Sequence, residues 1–157
     1  MASSVAERYT LFPIKKDETG LYQLYKQEVA SFWTVEEIDF SRDEADWEKL
    51  TENEQNFIKQ ILAFFAGSDG IVQENLATRF QREVDSPVAK LFYSVQNAME
   101  GIHSETYSLL IDKYVKNKDE QIIYFRAIDN FPCIRKKAEW ALRWIESGNS
   151  FSCRLVS

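Results

Sequence analysis

Glu100, His103 and Tyr107 stand at i, i+3 and i+7, which places the only histidine of this chain beside a carboxylate and a phenol. At about 100° per residue in a helix, the three side chains fall within roughly 60° of arc. Such a face can hold an iron ion next to an oxidisable tyrosine. Asp and Glu make up 25 of the 157 residues, so an isolated Glu-x-x-His also arises by chance, as a solvated pair on a helix surface. The neighbourhood shifts the balance. Tyr93, Gln96, Leu110, Ile111 and Tyr114 project from the same side, and a surface ion pair does not normally occupy the aromatic, apolar side of its helix. Buried there, a carboxylate and an imidazole need partners, and a metal ion is the simplest one that satisfies both.

A second carboxylate supports this. Leu62, Phe65, Asp69, Val72 and Leu76 follow a 3,4,3,4 spacing, with Asp69 in the middle of an otherwise apolar stripe. Taken alone, Gly67-Ser68-Asp69-Gly70 reads equally well as a turn or cap. The uninterrupted apolar pattern on both sides argues for a continuing helix. In that helix the two glycines are expected to thin the backbone where another element or a ligand comes close.

The elements that must carry these residues are helical. Only 5 Gly and 3 Pro occur, apolar residues recur at three and four, and no credible strand is found. Residues 1–20 read as an irregular lead-in and residues 21–33 as a first helix. Ser41-x-x-Glu44 and Thr51-x-x-Glu54 are capping-box patterns, predicting a short helix near residues 43–50 and a long one over about 52–84. Ser86-Pro87 reads as N-cap and first residue of the helix bearing Glu100, His103 and Tyr107. Asp119 is expected to cap a further helix, which Pro132 kinks or splits before Gly148 ends it. Residues 151–157 carry no stop signal and read as an element just begun, so a chain that ends inside its domain is expected.

Composition narrows the functional classes. A hydrophobic content of 45% over 157 residues suits one domain with a sizeable core. The net charge of -6 speaks against a nucleic-acid partner, and Arg135-Lys136-Lys137 is expected to be a solvated helix face. Cys133 and Cys153 have no metal or redox spacing and are expected to be reduced and structural, which suits the cytosol. The N-terminus lacks a signal-peptide core and residues 61–66 are too short an apolar run to span a bilayer, so a soluble, cytoplasmic chain with no membrane partner is expected.

Longer motifs carry a resemblance. Ala30-Ser-Phe-Trp-Thr-Val-Glu-Glu-Ile-Asp39, Phe64-Phe-Ala-Gly-Ser-Asp-Gly-Ile-Val-Gln-Glu-Asn75, Ala98-Met-Glu-Gly-Ile-His-Ser-Glu-Thr-Tyr-Ser-Leu-Leu-Ile111 and Pro132-Cys-Ile-Arg-Lys-Lys-Ala-Glu-Trp-Ala-Leu-Arg-Trp144 resemble the small subunit of class I ribonucleotide reductase, of the eukaryotic or large-virus type. The match runs in order over residues 8–145. It implies an all-α, ferritin-like helical bundle, incomplete here, with residues 1–157 forming the first half of the di-iron domain. It also implies an oxidoreductase, ribonucleoside-diphosphate reductase small chain, holding a di-iron centre, with manganese as the alternative metal. Asp69, Glu100 and His103 match its metal ligands, Tyr107 its radical-bearing tyrosine, and Trp33 the tryptophan of its electron path. Without the resemblance, Trp33 reads as an ordinary core aromatic. The implied partners are the reductase large subunit and a second small subunit.

The departures are equally informative. Bundles of this architecture draw a carboxylate from each of two helices and a Glu-x-x-His from each of two more. This chain supplies one of each, so the second ligand set is absent from it, as is the family's tail that docks on the large subunit. Two functional readings follow: the N-terminal portion of a reductase small subunit, or a non-catalytic truncated subunit that acts as an interaction module with a full-length one. A ferroxidase or oxygenase on the same architecture would account for the ligands but not for Trp33 and Tyr107 together.

Overall fold

The computed structural model describes residues 5–156, and every regular element among them is a helix or helical turn. α1 (Val5–Tyr9), α2 (Thr19–Ala30) and α3 (Asp43–Trp47) lead into the first long helix, α4 (Glu52–Asn75). A π-helical segment, Leu76–Phe80, carries α4 into α5 (Gln81–Glu83). The second long helix is α6 (Pro87–Tyr114), followed by α7 (Lys118–Phe125), α8 (Ala127–Asn130), α9 (Pro132–Glu146) and α10 (Phe151–Val156).

Capping chemistry sets most of these boundaries. Thr51 and Glu54 form the reciprocal box at the start of α4: Thr51 N donates to Glu54 Oε2 at 2.8 Å and Glu54 N donates to Thr51 Oγ1 at 3.4 Å. Ser86 Oγ accepts from Ala89 N at 3.1 Å, with Pro87 as the first residue of α6. Two expected caps are not used. Ser41 donates its backbone N–H to Asp39 instead, and Arg42 occupies the N-cap of α3. Asn117, not Asp119, caps α7, its Oδ1 accepting from Asp119 N and Glu120 N, because the chain turns two residues earlier than the acid suggests. The lead-in is less irregular than expected, containing α1 and a tight turn at Lys16–Glu18. Pro132 does not kink a helix but starts α9, where its missing N–H costs nothing.

α4 and α6 run antiparallel and make the framework. Gln73 meets Asn97, Asp69 meets Glu100 and His103, and Phe65 meets Tyr107, so partners rise along α6 as they fall along α4. No helix break occurs at Asp69. At Gly70 an added Cβ would touch nothing, and at Gly67 it would make only ordinary contact with Ile128, so neither glycine is demanded by a close approach. Gly101 is the tight position. A Cβ there would lie 3.1 Å from the Gln73 side-chain nitrogen, one residue from Glu100.

The core lies toward one end of this pair. Leu62, Ala63, Ile111, Val115, Tyr124, Ala127 and Ile134 form it, drawing α7, α8 and α9 onto α4. Lys59 pairs with Glu120 at 2.9 Å, and Gln121 donates to the Val115 carbonyl at 2.6 Å to close the turn after α6. At the other end Arg79 reaches the Ile145 and Ser147 carbonyls, fastening the end of α9 beside the π segment. The expected solvated run is partly engaged: Arg135 donates to the Ile128 and Asp129 carbonyls and Lys137 lies over the Phe64 ring. Cys133 and Cys153 are unpaired and exposed, so neither is a core residue. Among the described residues no helix is long and apolar enough to cross a membrane.

Candidate metal centre

The antiparallel register of α4 and α6 brings Asp69, Glu100 and His103 together. One ligand atom from each lies within 4.8 Å of the others. His103 Nδ1 stands 3.5 Å from Glu100 Oε2, and both side chains are partly open to solvent. Asp69 is only 7% exposed, and its Oδ2 has no hydrogen-bond partner. Ser68 Oγ donates to Oδ1 through a long contact of 3.4 Å. Burial, and next the Glu100 carboxylate, push the Asp69 carboxyl above its ordinary range, while His103 and Ser68 pull it back.

A metal ion fits this arrangement. A buried carboxylate oxygen with no donor costs about 1–3 kcal/mol or more, and a cation relieves both that cost and the repulsion between the two acids. Carboxylate oxygens with one imidazole are a donor set that suits iron or manganese.

The acidity of Asp69 also gives an expectation for the metal-free chain. A carboxyl whose folded pKa is raised favours the folded state at low pH, and that contribution is lost as pH rises through the folded value. Asp69→Asn removes the charged form. In chelator at pH 7 it is expected to stabilise the chain by about 1–2 kcal/mol, and by less at pH 4, as read by urea unfolding. A loss of stability at pH 7 would contradict the assignment of Asp69 as an uncompensated buried acid.

Tyr107 sits one turn beyond His103, its ring stacked on Phe65 at 5.0 Å and 6.5 Å from the His103 ring. Burial first, then Asp69 and Glu100, raise the phenol pKa, so it stays protonated in the neutral range. Trp33 reaches the cluster from the segment after α2, with its ring 5.7 Å from the His103 ring. That segment is fixed by a capping box of Thr34 and Glu37 and by buried Val35. Asp69, Glu100, His103, Tyr107 and Trp33 therefore lie in one cluster.

Glu28 was not among them. It projects from α2, has a buried Oε2 without a hydrogen-bond partner, and its carboxyl pKa is raised by burial. With Ser31, Trp33, Gln96, Met99, Glu100 and His103 it lines a cleft of about 400 Å³. In the sequence it is one acid in the polar stretch Lys26-Gln27-Glu28, and only the packing of α2 on α6 sets it apart. Tyr93 and Tyr114, on the same side of α6, serve packing: Tyr93 stacks on Phe80, and Tyr114 stacks on Trp47 and donates to Asp43 at 2.7 Å. A larger cavity of about 440 Å³, lined by Phe64, Ile71, Val72, Ile134 and Trp140 among others, offers no carboxylate or imidazole.

Known proteins share this fold. The family described as "Ribonucleotide reductase, small chain" matches residues 8–157. A ribonucleoside-diphosphate reductase small subunit of Dictyostelium discoideum is 57% identical over 152 residues, covering 96% of this chain and 44% of that protein. The corresponding small chain of Swinepox virus is 54% identical over 150 residues, covering 96% and 54%. Among solved structures, the ribonucleotide reductase Rnr4 homodimer of Saccharomyces cerevisiae superposes with a TM-score of 0.77 at 36% identity, over 92% of this chain and 45% of that one. The dimanganese(II)-NrdF of Streptococcus sanguinis gives a TM-score of 0.77 at 20% identity, a likeness of fold. The chain thus spans about half the length of the relatives it matches, and its helices are those of an incomplete ferritin-like bundle. With the family matched over nearly its whole length and its relatives more than half identical, the chain belongs to the ribonucleotide reductase small-chain family.

Proposed function

We propose that this chain is the N-terminal portion of a ribonucleoside-diphosphate reductase small subunit, supplying one of the two ligand sets of a di-iron or dimanganese centre together with the tyrosine that carries its radical. The observation that carries the reading is the convergence of Asp69, Glu100 and His103 within 4.8 Å, with an unpartnered Asp69 oxygen and with Tyr107 one turn away. A metal pair, when bound there, would supply oxidising power from dioxygen. Every other part of the task falls to the chain's own side chains.

Asp69, Glu100 and His103 would hold the ions. Tyr107 is kept protonated by its surroundings, so removing an electron from it must also release the phenol proton, and Asp69 and Glu100 are the acids whose charge it feels. Phe65 covers one face of the ring and keeps water from it. Trp33, in ring contact with His103, offers an aromatic group to which an electron could pass from the ligand set. The large subunit that binds the ribonucleotide, and a second small subunit, are the proposed partners, and the cytoplasm the proposed compartment.

A chimera tests this. Residues 8–156 replace their counterparts in the Dictyostelium discoideum small subunit, which restores the rest of the bundle. After ferrous iron and oxygen, it is expected to show a tyrosyl signal by electron paramagnetic resonance. Tyr107→Phe in the chimera is expected to abolish the signal with iron content unchanged. A signal that survives Tyr107→Phe would contradict the assignment.

A further inference from the structure

Three rungs tie one stripe of α4 to α6. Phe65, Asp69 and Gln73 are spaced by four residues, so they stand above one another at intervals of about 6 Å. Phe65 stacks on Tyr107, Asp69 faces Glu100 and His103, and Gln73 Nε2 donates to the Asn97 carbonyl at 3.4 Å. The ligand rung is the middle one. In the continuous helix α6 the same Asn97 carbonyl also accepts the N–H of Gly101, so the Gln73 amide shares its acceptor with the residue that follows Glu100.

Glycine inside a helix weakens it relative to alanine, yet α6 carries one at residue 101. The Gln73 amide supplies the reason. A Cβ at Gly101 would lie 3.1 Å from Gln73 Nε2, inside the 3.4–4 Å of ordinary contact, whereas Gly70 has nothing near it and Gly67 meets Ile128 at 3.4 Å.

We propose that Gln73 is a positioning residue for the metal centre and that Gly101 is the clearance that admits its amide, the pair together setting the spacing of α4 and α6 that holds Asp69 opposite Glu100 and His103. The proposal rests on the reading of those three residues as metal ligands. Gln73 touches none of them directly. It acts through the backbone, one turn from Asp69 on α4 and against the carbonyl three residues before Glu100 on α6. With a methyl group at residue 101, either the amide or a helix must give way. If the amide moves, a bond already 3.4 Å long is lost. If a helix moves by a few tenths of an ångström, the ligands separate, and tight sites need their ligands held to about 0.5 Å. Both routes loosen the ligand rung while the helix itself gains from the alanine.

The chimera that restores the rest of the bundle tests this, with Co²⁺ as the probe and a chromophoric chelator as competitor. Gly101→Ala is expected to weaken Co²⁺ binding about tenfold, the lower end of the cost of disturbing groups that orient metal ligands, while the metal-free protein melts no lower than the parent. Gln73→Met, which keeps the length of the side chain and removes its donor, is expected to lose a similar factor. The double variant is expected to lose no more than either single one, because both act on one contact. Single variants that bind within twofold of a Co²⁺-binding parent would overturn the positioning role and leave the ligand reading intact. Losses that multiply in the double variant, or that come with a lower metal-free melting temperature in Gly101→Ala, would also overturn it. A parent chimera that binds no Co²⁺ would overturn the ligand reading and the positioning role together.

Discussion

His103→Ala is expected to weaken binding of Mn²⁺ or Co²⁺ by more than about 100-fold, because removing only an outer-shell partner of a metal ligand already costs about 10–100-fold. No other histidine exists in the chain to replace it. Fold stability should hardly change. The imidazole is 36% exposed and its pairing with Glu100 is a long 3.5 Å contact, so the lost interaction falls in the range of about 0–1 kcal/mol typical of exposed pairs. Competition against a chromophoric chelator gives the affinity, and a circular-dichroism melt gives the control. A variant that melts normally and binds within tenfold of the parent would show that His103 is not a ligand.

Ile111→Ala is expected to cost about 2–5 kcal/mol, the range for removing a buried aliphatic side chain and leaving a cavity. Ile111 is fully buried, one turn past Tyr107, at the junction where Leu62, Ala63, Val115, Tyr124, Ala127 and Ile134 converge. It holds α7 and α9 against α4, and so fixes the register that sets Asp69 opposite His103. Against total stabilities of about 5–15 kcal/mol for whole domains, such a loss is severe. Leu109→Ala, two residues away and 45% exposed, is the matched control and is expected to lose less than about 1 kcal/mol. Urea unfolding compares them. Equal losses would show that the buried core is not centred on Ile111.

Features that depend on spacing within one helix were legible from the sequence. The 3,4 recurrence around Asp69, the Glu100 to His103 to Tyr107 interval and the Thr51 and Ser86 caps are local, and each is found where its spacing placed it. Features that depend on which element packs on which were not. Glu28 looks like any surface acid until α2 lies against α6. Gly101 looks like a weak point of a helix until α4 approaches with Gln73. Ser41 and Asp119 have the chemistry of caps, but α3 begins after Arg42 with no side-chain cap, and Asn117 caps α7. The π segment after Asn75 left no trace in the apolar pattern; at its end Phe80 packs against Tyr93 and Phe151, contacts between distant parts of the chain. The assignment of Trp33 rested on resemblance. In the structure its ring lies 5.7 Å from the His103 ring, a proximity that no local spacing predicts.

Anomalous X-ray diffraction from crystals of the chain grown with Mn²⁺ shows whether Asp69, Glu100 and His103 hold a metal ion. A manganese peak is expected within bonding distance of the Asp69 and Glu100 carboxylates and the His103 imidazole, absent from crystals of His103→Ala. A parent crystal with no peak there, or with manganese held only by surface carboxylates elsewhere, would contradict the ligand assignment.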